Sequence, residues 1–149
     1  LLILGSTVTV GRLLAGAAPL SLLEAGVYAM AAVDAYLVFS NRLQAPNAVL
    51  VAAEPGLGLP RLQSASFGGA GLGYGDFFAA GVAGGILAAR CAPQLLAGGA
   101  LIVVSLAWDQ LFLVYDVLPA TIPPALVLLG ADMLRRRRSR PSGRGPSCP

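Results

Sequence analysis

The sequence predicts an all-α fold, a polytopic bundle of transmembrane helices, on three grounds. Of its 149 residues 56% are hydrophobic and 11% are charged, a balance that no water-soluble domain can hold without exposing large apolar patches. The apolar residues fall in runs close to the ~20 residues that a membrane-crossing helix needs. Glycine and proline cluster between those runs, where loops are expected.

The chain opens on Leu-Leu-Ile-Leu, with no initiator methionine and no positively charged stretch ahead of an apolar one. Residues 1–10 are therefore expected to be a truncated helix rather than a signal peptide, and the chain a C-terminal fragment. Pro19 at the entrance and Asn41-Arg42 at the exit frame a span over about 20–39. Residues 40–66 carry Pro46, Asn47, Glu54, Pro55, Gly56, Gly58 and Pro60 and read as loop. A second span covers about 67–89, closed by Arg90 and Pro93, and a third about 95–114. A shorter segment over 121–133 contains Pro123-Pro124 and is expected to start irregularly, becoming helical only after the prolines. Residues 1–134 thus form the membrane part, and 135–149 a basic, disordered tail too rich in Arg, Pro and Gly to pack.

All ten basic residues are arginine. Placing Arg12, Arg90 and the tail arginines on one side of a bilayer leaves Arg42 and Arg61 on the other, which makes the tail cytoplasmic. The tail is expected to act as a topology signal that touches anionic lipid headgroups, not nucleic acid. An arginine-only, Ala/Gly/Pro-rich composition hints at a microbial membrane. Cys91 and Cys148, at a helix end and in the tail, offer no disulfide framework and too few ligands for zinc, so no metal or cofactor is expected.

With no histidine and no lysine, the chain cannot form a Ser-His or Cys-His pair, a His-Glu-x-x-His zinc site or a Ser-Lys dyad. Seven carboxylates remain: Glu24, Asp34, Glu54, Asp76, Asp109, Asp116 and Asp132. Asp34 and Asp76 lie inside apolar runs, where a carboxylate costs roughly 2.5–3.5 kcal/mol unless it faces the protein interior. Counted from the shared 40–66 loop, they lie about 8 and 14 Å along their helices, at similar depth. Gly69, Gly73, Asp76, Ala80 and Gly84 form a stripe of small residues on which another helix could approach closely. Two carboxyls a few ångströms apart hold one proton between them. One can then draw a proton from a trapped water while the other polarises a carbonyl. Glycines beside the acid, Gly73 and Gly75 around Tyr74, would let water and an extended peptide come close.

These residues resemble the GxGD-type intramembrane aspartyl proteases of the presenilin and signal peptide peptidase family. In that family one helix carries a first aspartate, the next carries Gly-x-Gly-Asp, and a Pro-Ala-Leu motif opens the last helix. Here Asp34 in Val-Asp-Ala-Tyr, Gly73-Tyr74-Gly75-Asp76 and Pro124-Ala125-Leu126 follow in that order over about residues 20–133. The resemblance implies an intramembrane aspartic endopeptidase with Asp34 and Asp76 catalytic. It also implies that Gly73, Tyr74, Gly75, Pro124, Ala125 and Leu126 lie against a substrate that is itself a transmembrane protein or peptide. Val33 stands where the family usually has tyrosine, and the interval between the aspartates is short. Gly-Tyr-Gly-Asp-Phe is also close to the second aspartate motif of prepilin peptidases, and Ala-Pro-Asn at 45–47 is similar to a Pro-Asn after their first; Pro-Ala-Leu favours the presenilin-like branch.

Asp109, beside Trp108 and Gln110 in the third span, is the rival partner for Asp76. Asp116, Glu24 and Asp132 are expected at membrane edges. Functions of another class are a proton-coupled transporter, in which intramembrane acids bind and release ions, and a non-catalytic membrane scaffold. The sequence does not fix an oligomeric state.

Overall fold

The computed structural model describes residues 2–42, 48, 49, 52, 64–67, 70–115 and 117–138. Most of the loop expected over 40–66, together with Gly69, Asp116 and residues 139–149 of the tail, lies outside the described residues. The elements are α1 (Leu2–Ala17), α2 (Leu20–Phe39), β1 (Ser64–Phe67), β2 (Ala70–Gly73), α3 (Tyr74–Ala89), α4 (Gln94–Asp109) and α5 (Ile122–Arg138), with a 3-10 turn over Gln110–Leu113. The architecture is helical, as expected, with one small antiparallel hairpin added.

α2 keeps its expected limits. Pro19 accepts the N–H groups of Leu22 and Leu23 at its start. At its end Asn41 takes the left-handed conformation (φ 58°), with Asn41 N–H to the Val38 carbonyl and Arg42 N–H to the Leu37 carbonyl, both 3.0 Å. This is the paired closure by which a residue of positive φ satisfies the last carbonyls of a helix. α3 ends the same way, with Cys91 at φ 54° and Ala92 N–H bonded to the Leu87 carbonyl.

Three expected limits change. The second span begins at Tyr74 rather than near residue 67, because the backbone from Ser64 to Gly73 is used in the β1–β2 ladder, Ser64 opposite Gly73 and Phe67 opposite Ala70. The third span is α-helical only to Asp109 and then tightens into the 3-10 turn. α5 has no irregular start and includes Pro123 and Pro124 in its first turn. A helix's first N–H groups have no partner within it, so proline there removes nothing. α5 also runs on through Arg138, so residues 135–138 of the expected disordered tail are helical. Arginine in a last turn complements the helix dipole, and Arg136 pairs with Asp132 one turn back at 3.0 Å.

α3 is the centre of the packing. Val82, Ile86 and Leu87 on α3 join Val27 and Ala31 on α2 and Ala125 and Leu128 on α5 in one apolar core, with Ile86 and Leu128 fully buried. Its opposite side lies against α1, the segment expected to be a remnant, at very close range. A β-carbon on Gly11 would collide with the Gly81 backbone, one on Gly81 with Thr7, and one on Gly85 with Gly11. The buried Thr7 returns its hydroxyl to the carbonyls of Ile3 and Leu4 at 3.0 and 3.2 Å. Close approach therefore uses Gly81 and Gly85, one residue round from the expected stripe, while Gly84 has nothing within 4 Å of a β-carbon.

α4 buries no residue. Leu95, Leu96, Ile102, Val103 and Leu106 are all exposed, as are Leu13, Leu22 and Val33 on α1 and α2. Among the described residues one helix, Leu20–Phe39, is long and apolar enough to cross a membrane. Its 20 residues reach about 30 Å, the thickness of a bilayer's hydrocarbon core. α1, α3 and α4 are apolar but have 16 residues each.

Candidate active site

The site begins where strand becomes helix. Gly73, with extended backbone (φ −81°, ψ 165°), precedes α3, and Asp76 is the third helical residue. The Gly73 N–H donates to Asp76 Oδ2 at 2.9 Å, a reach-back by which an acidic third residue satisfies a donor at the helix entrance. Asp76 therefore sits at the loop-side rim of its helix, nearer the end than the nine residues counted from Phe67. A carboxylate there also gains from the positive end of the helix dipole.

Asp34 approaches from α2, five residues before that helix ends. Its Oδ2 accepts the hydroxyl of Thr121 at 2.7 Å and the Thr121 backbone N–H at 3.4 Å. Thr121 stands immediately before α5 and is buried. Both carboxyls open onto one cleft of about 370 Å³ lined by Met30, Val33, Asp34, Leu37, Gly75, Asp76 and Thr121. Asp34 is close enough for its charge to act on Asp76. Each acid has one oxygen, Oδ2, tied to the scaffold, and among the described residues the other makes no hydrogen bond.

The remaining expected site residues scatter. Gly75 lines the cleft beside Asp76, with nothing within 4 Å of where a β-carbon would stand, so the missing side chain keeps that wall open. Tyr74 turns to α1 and shares a 3.1 Å hydrogen bond with Ser6. Pro124 lines a second, smaller cleft of about 110 Å³ between α3, α4 and α5, with Ala80, Gly84 and Gly98. Ala125 is in the core, and Leu126 is exposed. Pro-Ala-Leu thus does not line the aspartate cleft; the residue of that segment that does is Thr121, three positions earlier. Sequence reasoning missed Thr121, and its signal was a hydroxyl placed just before a helix whose next residues include two prolines.

Asp109, the rival acid, is the exposed last residue of α4 and does not line the cleft. Glu24 and Asp132 lie at the opposite end of the bundle. There Glu24 pairs with Arg90, and Arg90 reaches Asp132 at 3.3 Å.

The chain matches no protein-family model, no curated protein and no solved structure.

Proposed function

We propose that this chain is the catalytic part of a multi-pass intramembrane aspartic endopeptidase that hydrolyses peptide bonds in or near transmembrane segments of other proteins. The observation that carries the reading is the meeting of Asp34 and Asp76, from two apolar helices, on one cleft with no arginine among the described residues that line it. Two carboxyls so placed share a proton. The ionised one draws a proton from water, the water oxygen attacks the peptide carbonyl carbon, and the protonated one gives its proton to the carbonyl oxygen. The tetrahedral adduct then collapses with proton return to the amide nitrogen, releasing an amine and a carboxylic acid. No covalent intermediate is needed.

The exterior supports a membrane setting. Helix α4 exposes Leu95, Leu96, Ile102, Val103 and Leu106 along its length, an arrangement that a water-soluble monomer rarely tolerates. In our reading α1, α3, α4 and α5 cross or enter a microbial membrane beside α2, with the arginine-rich end cytoplasmic. Hydrolysis would take place near the opposite face, where the aspartate cleft and the hairpin meet.

The test is cleavage of a model transmembrane substrate in proteoliposomes. Wild type is expected to cleave, and Asp34→Ala and Asp76→Ala each to be inactive while inserting normally. Cleavage by either variant would remove the proposal, and proton-coupled flux without proteolysis would replace it with a transporter.

A further inference from the structure

A threonine that precedes a helix ordinarily turns its side-chain oxygen toward the N–H of the second or third helical residue. Thr121 holds that position: its carbonyl accepts the first helical N–H, from Ala125, at 3.5 Å. The first three residues of α5 are Ile122, Pro123 and Pro124. The two positions that the hydroxyl would cap are therefore both prolines and have no N–H. Nothing in its own helix competes for the hydroxyl, and at 5% exposure water has little access to it. It crosses instead to α2 and donates to Asp34 Oδ2 at 2.7 Å.

We propose that Thr121 is a positioning residue for Asp34, and that Pro123-Pro124 is the device that keeps its hydroxyl available. The proposal rests on the reading of Asp34 and Asp76 as an acting pair. The two acids then have matched anchors of different origin. Asp76 is tied to Gly73 within its own helix entrance, whereas Asp34, on an uninterrupted helix with no local donor, borrows one from the start of α5. Fixing Oδ2 fixes the side-chain rotamer and so the place of Oδ1, the oxygen left for water. Reactions of this kind are sensitive to such placement, a 1 Å error costing about a hundredfold in rate.

The experiment uses the full chain in lipid vesicles with aspartate carboxyl carbons labelled, the Asp34 signal being assigned by its loss in Asp34→Asn. Thr121→Val, which keeps the shape and removes the donor, is expected to move the Asp34 signal and leave that of Asp76 in place. Thr121→Ser is expected to restore it. Pro123→Ala/Pro124→Ala, which returns two N–H groups to the helix start, is expected to move the Asp34 signal in the same direction by a smaller amount. In the cleavage assay Thr121→Val is expected to lower kcat roughly tenfold to a hundredfold with KM within about twofold, and Thr121→Ser to recover most of the loss. An Asp34 signal unmoved in Thr121→Val, or a moved signal with an unchanged kcat, overturns the assignment. If Thr121→Val fails to fold, the double proline variant carries both readouts with Thr121 in place. A wild-type chain that cleaves nothing removes the protease reading instead, and the carboxyl signals still decide whether Thr121 holds Asp34.

Discussion

The same three helices meet at two polar places, and the two are built on opposite principles. At the arginine-rich end, Glu24 of α2, Arg90 at the end of α3 and Asp132 of α5 form one ionic network, with Arg90 and Glu24 about as buried as each other, at 14% and 15% side-chain exposure. At the loop-side end, about 15–21 Å away along the helix axes, the same helices bring Asp34, Asp76 and Thr121 to an open cleft with no cation among the described residues that line it. The first place has carboxylates balanced by a guanidinium and reads as a clasp. The second has two carboxylates that, among the described residues, meet hydrogen-bond donors and no cation. An acid in an apolar helix is thus informative only once its partner is known: Glu24 and Asp34 lie ten residues apart on α2, one beside a guanidinium and the other beside a hydroxyl.

The comparison can be broken at either end. The largest effect is expected at the cleft. Asp34→Asn and Asp76→Asn should each reduce cleavage by about a thousandfold or more, with unfolding in detergent close to wild type; a strong loss of stability with residual cleavage would make the cleft structural. At the clasp, Arg90→Met leaves the partly buried Glu24 without its cation and Asp132 with the exposed Arg136 alone, and should destabilise by about 3–5 kcal/mol, read by thermal or denaturant unfolding. Adding Glu24→Gln and Asp132→Asn should recover much of that loss, and failure to recover would mean that Arg90 has another role.

Smaller effects test the packing between the ends. Gly85→Val, which drives a side chain into the Gly11 backbone, should cost roughly 1–3 kcal/mol by overpacking, whereas Gly84→Ala should stay within about 0.5 kcal/mol. Equal losses at both positions would contradict the α1–α3 contact. The smallest effect belongs to Arg136→Ala, whose guanidinium is 82% exposed although it pairs with Asp132. It should change stability by no more than about 0.5 kcal/mol and lose even that in high salt.

Much of the scaffold was legible in the residues. Pro19 and Asn41 set the limits of α2 because each has a backbone preference that marks a helix end. The Gly73-Tyr74-Gly75-Asp76 run was legible as a special place, but its form was not. Apolar residues ahead of it look the same to a hydropathy reading whether they pair as β2 or continue a helix. Only the Gly73–Asp76 reach-back shows where the helix starts. Pro123-Pro124 misled for a related reason: proline breaks a helix interior but is harmless in the first turn, and the sequence does not say which applies. The role of α1 was hidden because close approach depends on which of the neighbouring glycines faces it, Gly84 or Gly85, and one residue turns the face by about 100°. Asp109 looked like a rival while the third span was taken to run on to residue 114; with α4 ending at Asp109, it becomes an exposed terminal residue. Thr121 was illegible until its partner 87 positions away in the chain was seen.

The most direct measurement of the central claim is cross-linking of Asp34→Cys/Asp76→Cys in membranes by a short bifunctional thiol reagent, with peptide mapping of the joined pair and Asp109→Cys/Asp76→Cys as control. Facing acids on α2 and α3 predict efficient joining of positions 34 and 76 and none of 109 and 76. Joining of 109 with 76, or of neither pair, would contradict it.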